Sequence, residues 1–210
     1  MAIPTIFEKW RGDMEAENAR DSGGDRPSYW KIPAGRTIVR PMLFEGPGGQ
    51  EFDVVNRKHF SVRQGSNKPV VCPGYADCPI CKLKKDVSEK AWSKIKPSSK
   101  ALINCIVRGD DGDELVIAEI PMGTCKKIKA VYAYLPDTMN GLDPEDGLDV
   151  QIVKTGSGLN TTYEVSGVIT GPTSWGADYC PVDLTDHQQA PASEEELYNL
   201  AMDFKGANAI

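Results

Sequence analysis

The sequence predicts a mainly β fold, a small antiparallel barrel with helical insertions. Short apolar runs with period-two alternation recur along the chain, and turn sequences rich in Gly, Asp and Asn separate them. A loop-like stretch over residues 63–81, which contains three cysteines, interrupts these runs. Apolar residues make up 40% of the 210 residues, which is enough for the core of one domain of ordinary size.

The predicted strands fall into three pairs, each of which has a turn sequence between two apolar runs and is expected to form a hairpin. The pairs are residues 36–45 with 51–62, 101–108 with 114–120, and 148–155 with 161–170. Helical spacing and composition predict helices at residues 5–20, 81–95, 124–135 and 193–204. The last helix begins with a capping box, in which Ser193 is the cap and Glu196 is its partner.

Five or six short strands joined by turns and one or two helices fit a five-stranded Greek-key barrel, the oligonucleotide-binding fold, which accepts a long insertion between strands. We therefore expect three regions. Residues 1–27 form an acidic, helical segment and a linker, residues 28–175 form the barrel with a zinc-binding insert near 59–96, and residues 176–210 form an acidic C-terminal tail.

Two features of the sequence bear on where the protein works. No run of 18 apolar residues occurs, which predicts a chain without a membrane span. The N-terminal stretch MAIPTIFEKWRGDMEAEN lacks the basic and apolar segments that mark a secretory signal. We therefore expect a reducing cytoplasm, where the six cysteines are thiols or metal ligands rather than disulfides.

Charge is distributed unevenly along the chain, although the net charge is only -6. Residues 29–109 hold fifteen basic and six acidic side chains, a net charge of +9. Residues 110–210 hold five basic and eighteen acidic side chains, a net charge of -13. A basic middle beside acidic flanks is typical of a polyanion site whose flanks shield it or bind partners. Chance clustering of solvated charge is the alternative.

Four residues have the spacing of a metal centre. His59 is followed by Cys72, Cys78 and Cys81, and the last two enclose the Cys-x-x-Cys turn CPIC. Such a turn presents both sulfurs to one ion at about 2.3 Å, and three thiolates with one imidazole complete a closed tetrahedral shell that suits one structural zinc ion. A metal is also a physical reason for a loop-rich insert with little core to fold.

Other interpretations of these cysteines stay open or are excluded by the sequence. A redox Cys-x-x-Cys site is expected between a strand and a helix, without two further ligands nearby. A zinc deaminase needs a His-x-Glu motif, and Ser61 stands where that glutamate is required, so this enzyme class is excluded. A cysteine cluster without metal is a third interpretation, and His59 alone can be an ordinary strand residue.

The order and spacing of these residues resemble the replicative single-stranded DNA-binding proteins of tailed bacteriophages, the helix-destabilising family. The resemblance extends over residues 28–170. Seven segments carry it: SYWKI at 28–32, RTIVR at 36–40, KHF at 58–60, CPIC at 78–81, KALINCIV at 100–107, GLDV at 147–150 and YEVS at 163–166. The chain departs from the best-known members in its acidic N-terminal segment and in the shorter gap between Cys72 and Cys78.

The resemblance implies a zinc-bearing oligonucleotide-binding fold that coats and protects single-stranded DNA in phage replication, recombination and repair. It implies that His59, Cys72, Cys78 and Cys81 are the zinc ligands, and that the protein works in the cytoplasm of the infected bacterial host. The acidic tail, a tethered helix with an apolar face, is expected to recruit replication or recombination proteins or to compete with DNA for the basic residues. A solubilising tail or a helix packed on the body is the alternative.

A sequence-tolerant single-strand binder needs a cationic groove for phosphates and aromatic faces on which bases stack. Residues of both kinds are interleaved in the basic middle of the chain. The candidate DNA contacts are Trp30, Arg36, Arg40, Arg57, Lys58, Phe60, Arg63, Lys68, Tyr75, Lys82, Lys84 and Lys100. Core positions for the aromatics and a solvated helix face for the lysines are the structural alternatives.

Two other functions fit parts of the sequence. A zinc-stabilised protein-interaction module would use the basic middle to bind an acidic protein instead of DNA. A nuclease would need carboxylates clustered on strand ends, whereas the acids here concentrate in turns and in the tail. The sequence also shows no nucleophile motif and no Gly-rich phosphate loop in the required context. We therefore predict a binding protein rather than an enzyme.

Overall fold

The computed structural model describes residues 29–66, 68–110, 112–136, 138–168, 174 and 179–208. The chain divides into two compact units, Met1–Trp30 and Lys31–Ile210. Only Tyr29 and Trp30 of the first unit are described, so the helix predicted over 5–20 lies outside the described residues. The elements below all belong to the second unit.

The second unit is mainly antiparallel sheet, with four helices among its described residues. The strands are β1 (Gly35–Met42), β2 (Phe44–Gly46), β3 (Gly49–Glu51), β4 (Val54–His59), β5 (Val70–Val71), β6 (Ser98–Arg108), β7 (Glu114–Pro121), β8 (Val150–Thr155) and β9 (Thr162–Gly167). The helices are α1 (Pro79–Lys82), α2 (Glu89–Ile95), α3 (Met122–Ala133) and α4 (Glu194–Asn208). Short 3-10 turns lie at Leu83–Lys85, Gly158–Asn160 and Leu184–His187.

The sheet is arranged around β6, which is 11 residues long and pairs along both edges. β7 pairs with one edge of β6 over most of the length of β6. β4 and β1 share the other edge end to end, because Val54 of β4 lies opposite Leu102 and Met42 of β1 lies opposite Asn104. β8 and β9 continue the sheet beyond β1, and among the described strands the path from β5 to β9 stays open.

Two of the three predicted hairpins are confirmed, β6 with β7 and β8 with β9. The first predicted hairpin is wrong, because β1 and β4 pair with β6 rather than with each other. The turn at 46–49 closes only the short ladder of β2 and β3. The edge of β6 provides more backbone hydrogen-bond partners than the short ladder of β2 and β3 does. The chain therefore leaves the edge of β6 at Leu43 and returns to it at Val54.

The helix predicted over 81–95 is divided into α1 and α2. The division occurs because Ser88 begins a new helix, in which its hydroxyl accepts a hydrogen bond from the N–H of Ala91 at 3.3 Å. The helices predicted at 124–135 and 193–204 are confirmed as α3 and α4, with shifted ends. Ser193 caps α4 by accepting a hydrogen bond from the N–H of Glu196 at 3.1 Å.

A strap, residues 182–189, crosses one face of the sheet and is held by two buried asparagines. Asn104 donates to the carbonyl of Val182 at 2.8 Å and accepts from its N–H at 3.2 Å. Asn56 donates to the carbonyl of His187 at 3.4 Å and accepts from the N–H two residues later at 3.3 Å. The strap therefore covers β4 and β6 and leads the chain to α4.

Arg40 is the centre of a buried ionic network. Its side chain is completely buried, with Nε 2.9 Å from Oδ1 of Asp149 and Nη2 donating to the carbonyl of Gly147 at 2.8 Å. Arg108 binds the second carboxylate oxygen of Asp149 at 3.0 Å. A Cβ at position 147 would lie 2.4 Å from the backbone oxygen of Asp143 as well as 2.2 Å from Nη1 of Arg40, so glycine is required there. The network fastens the segment before β8 to β1 and β6.

Replacing Arg40 with alanine is expected to lower the free energy of unfolding by about 3 kcal/mol. This is the lower end of the range for breaking a buried ion pair, because Arg108 still partners Asp149. Urea denaturation followed by circular dichroism measures the change. Arg36→Ala, at the exposed end of the same strand, is the control and should change the value by less than about 0.5 kcal/mol. Equal losses in the two variants would contradict the assignment.

Candidate metal centre

The hairpin of β4 and β5 brings the first two ligands together. His59 is the last residue of β4 and lies opposite Val70 of β5. Cys72 follows β5 directly, and its N–H extends the ladder by donating to the carbonyl of Arg57 at 2.9 Å. This short ladder makes His59 and Cys72 neighbours at one end of the sheet despite their separation in the sequence.

The turn before α1 and α1 itself provide the other two ligands. Cys78 is the N-cap of α1, and Pro79 follows in the first turn, where its missing N–H needs no partner. The N–H of Cys78 donates to the carbonyl of Gly74 at 3.0 Å, and Gly74 has a φ of +137°, which favours glycine. Cys81 comes one helical turn after Cys78, so both sulfurs lie on the same side of α1.

Three of the six distances between the ligand atoms are those expected in a tetrahedral shell. Nε2 of His59 lies 3.3 Å from Sγ of Cys78 and 3.5 Å from Sγ of Cys81. Sγ of Cys72 lies 3.7 Å from Sγ of Cys81. An ion bound at about 2.3 Å by sulfur and about 2.0 Å by nitrogen has tetrahedral edges of about 3.8 Å between sulfurs and about 3.5 Å between sulfur and nitrogen. The observed distances match these edges and are far longer than a disulfide bond of about 2.05 Å.

The imidazole of His59 is oriented by the C-terminal end of α2. Its Nδ1 lies 2.7 Å from the carbonyl oxygen of Ile95, which can only accept a hydrogen bond, so Nδ1 carries the proton. Nε2 therefore has a free electron pair directed at the sulfurs. A hydrogen bond of this kind behind a metal-binding histidine fixes its tautomer and raises its basicity.

The three thiols cannot all ionise in this buried place without a cation. The hydrogen bond from Cys81 lowers the pKa of Cys78 to about 4. That same hydrogen bond to Cys78, followed by burial, raises the pKa of Cys81, and burial raises the pKa of Cys72. One thiolate is thus favoured beside two thiols, and a divalent cation would favour loss of the remaining protons.

The four residues therefore form a group that can hold a metal ion. All four are buried, and their ligand atoms lie within 4.8 Å of one another. Within the part of the chain that the structure describes, this is the one such group of His, Cys, Asp and Glu side chains. Four protein ligands fill a tetrahedral shell completely, so the group suits a structural ion rather than one that binds water or substrate.

α4 packs against the metal insert and completes its core. The three cysteine ligands share one hydrophobic cluster with the inner face of α4, which consists of Leu197, Ala201 and Phe204. Two ion pairs join the same parts, Arg63 with Glu196 and Lys205 with Asp86 at 2.9 Å. Of the possibilities for this helix, the structure shows the one in which it packs on the body, because the insert of the same chain covers the apolar face of α4.

The candidate DNA contacts differ widely in their exposure. Six of them are exposed: Arg36, Phe60, Lys68, Tyr75, Lys82 and Lys84. Four are half-buried, namely Arg57, Lys58, Arg63 and Lys100. Trp30 belongs to the first unit. Two of the half-buried cations have acidic partners, Arg63 in Glu196 and Lys100 in Glu119, the latter at 3.8 Å.

Arg40 is a correction to the predicted set of DNA contacts. Its side chain lies under the segment before β8, where it is fully buried and bound to Asp149. A guanidinium whose donors are already used inside the protein is not available to a phosphate. Arg40 is therefore a structural residue.

Sequence reasoning missed three residues that position the centre. Ile95 contributes its backbone carbonyl to His59, and Asn56 and Asn104 hold the strap that leads to α4. A backbone carbonyl leaves no sequence signal. The asparagines do leave one, because Asn104 stands in the apolar run ALINCIVR, where a buried amide needs partners.

No protein-family model and no curated protein matches this chain. Within the described ranges, none of the helices combines the length and the apolar character needed to cross a membrane.

Loss of the metal is expected to release α4. The purified protein should carry about one metal ion per chain. Replacing Cys81 with serine should remove the ion and increase hydrogen exchange in α1, α2 and α4, because their shared core loses its anchor, while β6 and β7 stay protected. Native mass spectrometry counts the metal, and hydrogen exchange resolved by segment follows the helices.

Cys180→Ser is the matched control for this experiment. Cys180 is exposed and lies outside the ligand group, so its replacement should leave metal content and exchange unchanged. A metal-free wild-type protein with a fully protected α4 would contradict the coupling between the ion and the helix.

Proposed function

We propose that the protein binds single-stranded DNA with little sequence preference and coats and protects it in phage DNA replication, recombination and repair. The observation that carries this proposal is a pair of exposed aromatic rings next to the metal ligands. Phe60 is 42% exposed and follows His59 directly, and Tyr75 is 59% exposed and lies between Cys72 and Cys78. Exposed rings on a rigid frame offer faces on which any base can stack.

Basic side chains accompany these rings on the same insert. Lys68, Lys82 and Lys84 are exposed, and Arg57 is half-buried two residues before His59. Cations of this kind contact phosphates, which every nucleotide carries, so they add affinity without reading bases. The resemblance of KHF at 58–60 and CPIC at 78–81 to the phage helix-destabilising family supports the same assignment.

We propose zinc as the ion of the metal centre. Three thiolates and one imidazole in a closed tetrahedron suit zinc, which has no redox chemistry of its own and no open position here. Cys72, Cys78, Cys81 and His59 would hold it, and its role would be to fix the insert that carries Phe60. The proposed location, the cytoplasm of the infected host, keeps the thiols reduced.

The same proposal includes the oligonucleotide-binding barrel. β1 pairs with β6 through Ile38–Met42 and with β8 through Gly35–Val39. A strand with partners on both edges can join the two sides of a small, partly open barrel. The metal insert follows β4, so it lies in a long connection between two barrel strands, as that fold allows.

A second candidate function is a zinc-stabilised protein-interaction module without DNA binding. The observation that favours it is the outer face of α4, where Tyr198 and Met202 are 56% and 48% exposed and lie one turn apart. Glu194, Glu195 and Asp203 flank them and are exposed as well. A replication or recombination protein with a basic, apolar groove would complement this face. DNA binding distinguishes the two functions.

Loss of the exposed rings of the insert is expected to weaken single-strand binding. Phe60→Ala and Tyr75→Ala should each reduce affinity for an oligothymidylate by about 5- to 150-fold, the size of one lost stacking interaction of about 1–3 kcal/mol. Tyr134→Ala is the control, since Tyr134 is 88% exposed at the end of α3, outside the insert. Fluorescence anisotropy with labelled single strand and matching duplex measures the affinities. Equal or tighter binding of duplex would overturn the proposed function.

Charge reversal on β4 is expected to weaken binding to all single strands alike. The double variant Arg57→Glu with Lys58→Glu should lower affinity for oligonucleotides of different sequence by the same factor and flatten the dependence on salt, because fewer counterions are released. The control reverses two exposed lysines of α3, Lys126 and Lys127. Titrations at two salt concentrations test it, and a sequence-dependent loss would contradict phosphate contact by these side chains.

A further inference from the structure

A cavity of about 580 Å³ lies between the loop after β4 and the C-terminal end of α4. Its size falls in the range of about 300–1,000 Å³ that small-ligand sites occupy. Phe204 and Ala207 of α4 form an apolar part of the wall. The polar part of the wall is made by Ser61, Arg63, Gln64, Ser66, Lys94 and Asn208. No carboxylate lines this cavity among the described residues.

Arg63 has a buried donor that faces no acceptor. Its Nη2 binds Glu196, whereas its Nε is buried and has no hydrogen-bond partner among the described residues. A buried donor without a partner is unfavourable unless a ligand or water supplies an acceptor.

The loop that carries Arg63 is also strained at the cavity. Ser61 has a φ of +56°, and it is the one residue other than glycine with positive φ in the described part of the chain. Strained backbone of this kind concentrates at ligand sites, where the surrounding structure holds it in place.

Lys94, from α2, adds a second cation to the wall.

We propose that this cavity binds a nucleotide through its phosphate group, which pairs with the guanidinium of Arg63 and with Lys94. The nucleotide has two sources, a free nucleoside monophosphate or one nucleotide of a bound single strand. The second source rests on the proposed function, whereas the first does not. The volume accommodates a base and sugar beside the phosphate, with Phe204 on the apolar side.

Replacing Glu196 distinguishes a phosphate bound at Arg63 from an indirect effect of a loosened α4. It pairs with Arg63 from α4 and places a negative charge beside the incoming phosphate. Arg63→Ala and Glu196→Gln both remove the same charged pair, so an effect through loosening of α4 would weaken nucleotide binding in both variants. A phosphate on Arg63 predicts opposite effects, weaker binding in Arg63→Ala and tighter binding in Glu196→Gln.

The first test uses the full chain with adenosine monophosphate and, separately, inorganic phosphate as probes. The Nε–H signal of Arg63 in a nitrogen-15 NMR spectrum should move on titration. Arg63→Ala and Lys94→Ala should each weaken binding of adenosine monophosphate by about tenfold or more, as expected for loss of a charge-assisted hydrogen bond. Lys90→Ala, on an exposed position of the same helix outside the cavity wall, should leave it unchanged.

The second test identifies the source of the nucleotide. If the strand supplies it, an oligothymidylate displaces adenosine monophosphate and Lys94→Ala weakens oligonucleotide binding. If the free nucleotide is the ligand, the oligonucleotide binds without displacing it. Binding of adenosine monophosphate by a protein that binds no single strand would remove the proposed function and leave the cavity site standing.

An Arg63 signal that neither probe moves, which is the result expected for a cavity filled by water alone, would overturn the proposal. Weaker nucleotide binding in Glu196→Gln would overturn it too, because the cavity would then depend on the position of α4 rather than on a phosphate at Arg63.

Discussion

The insert and the C-terminal helix depend on one constraint. Three sulfurs and one imidazole nitrogen must lie within 4.8 Å of one another. The elements that carry them are short, two residues in β5 and four in α1, and segments of that length have no stability of their own. A shared ion supplies what their small core cannot. α4 then packs on the resulting surface through Phe204, and the strap leads the chain to α4. Each step relies on the one before it.

Some of the opposite charges in the two parts of the sequence form ion pairs with each other within the fold. Acidic residues after position 110 pair with basic residues before it: Asp149 with Arg40 and Arg108, Asp113 with Arg108, Glu119 with Lys100, and Glu196 with Arg63. The positive charge of the middle segment therefore overstates the field that a nucleic acid would meet. The cations left exposed concentrate on the metal insert, which is where the exposed rings also lie.

Local patterns predicted the parts of the structure that depend on local chemistry. The ligand spacing brought His59 and the cysteines into one group, and the tight turns of β6–β7 and β8–β9 were readable because each hairpin is closed by neighbouring residues. Contacts between residues distant in the sequence could not be predicted from local patterns. Nothing in the segment around Arg40 distinguishes a buried cation from an exposed one, since its partner Asp149 is 109 positions away. The apolar face of α4 was visible, but the surface that covers it was not.

The collinear arrangement of β1 and β4 provides a place in the chain where a reporter peptide can be inserted. The two strands abut on one edge of β6, where only Ile103 separates the paired positions Leu102 and Asn104. The segment between them leaves the sheet and returns to nearly the same point, and its turn at Pro47 and Gly48 is exposed. Closing a longer loop costs little more entropy, and exposed tips accept insertions. A fluorophore-binding peptide placed there would be carried by the sheet without changing the register of β6.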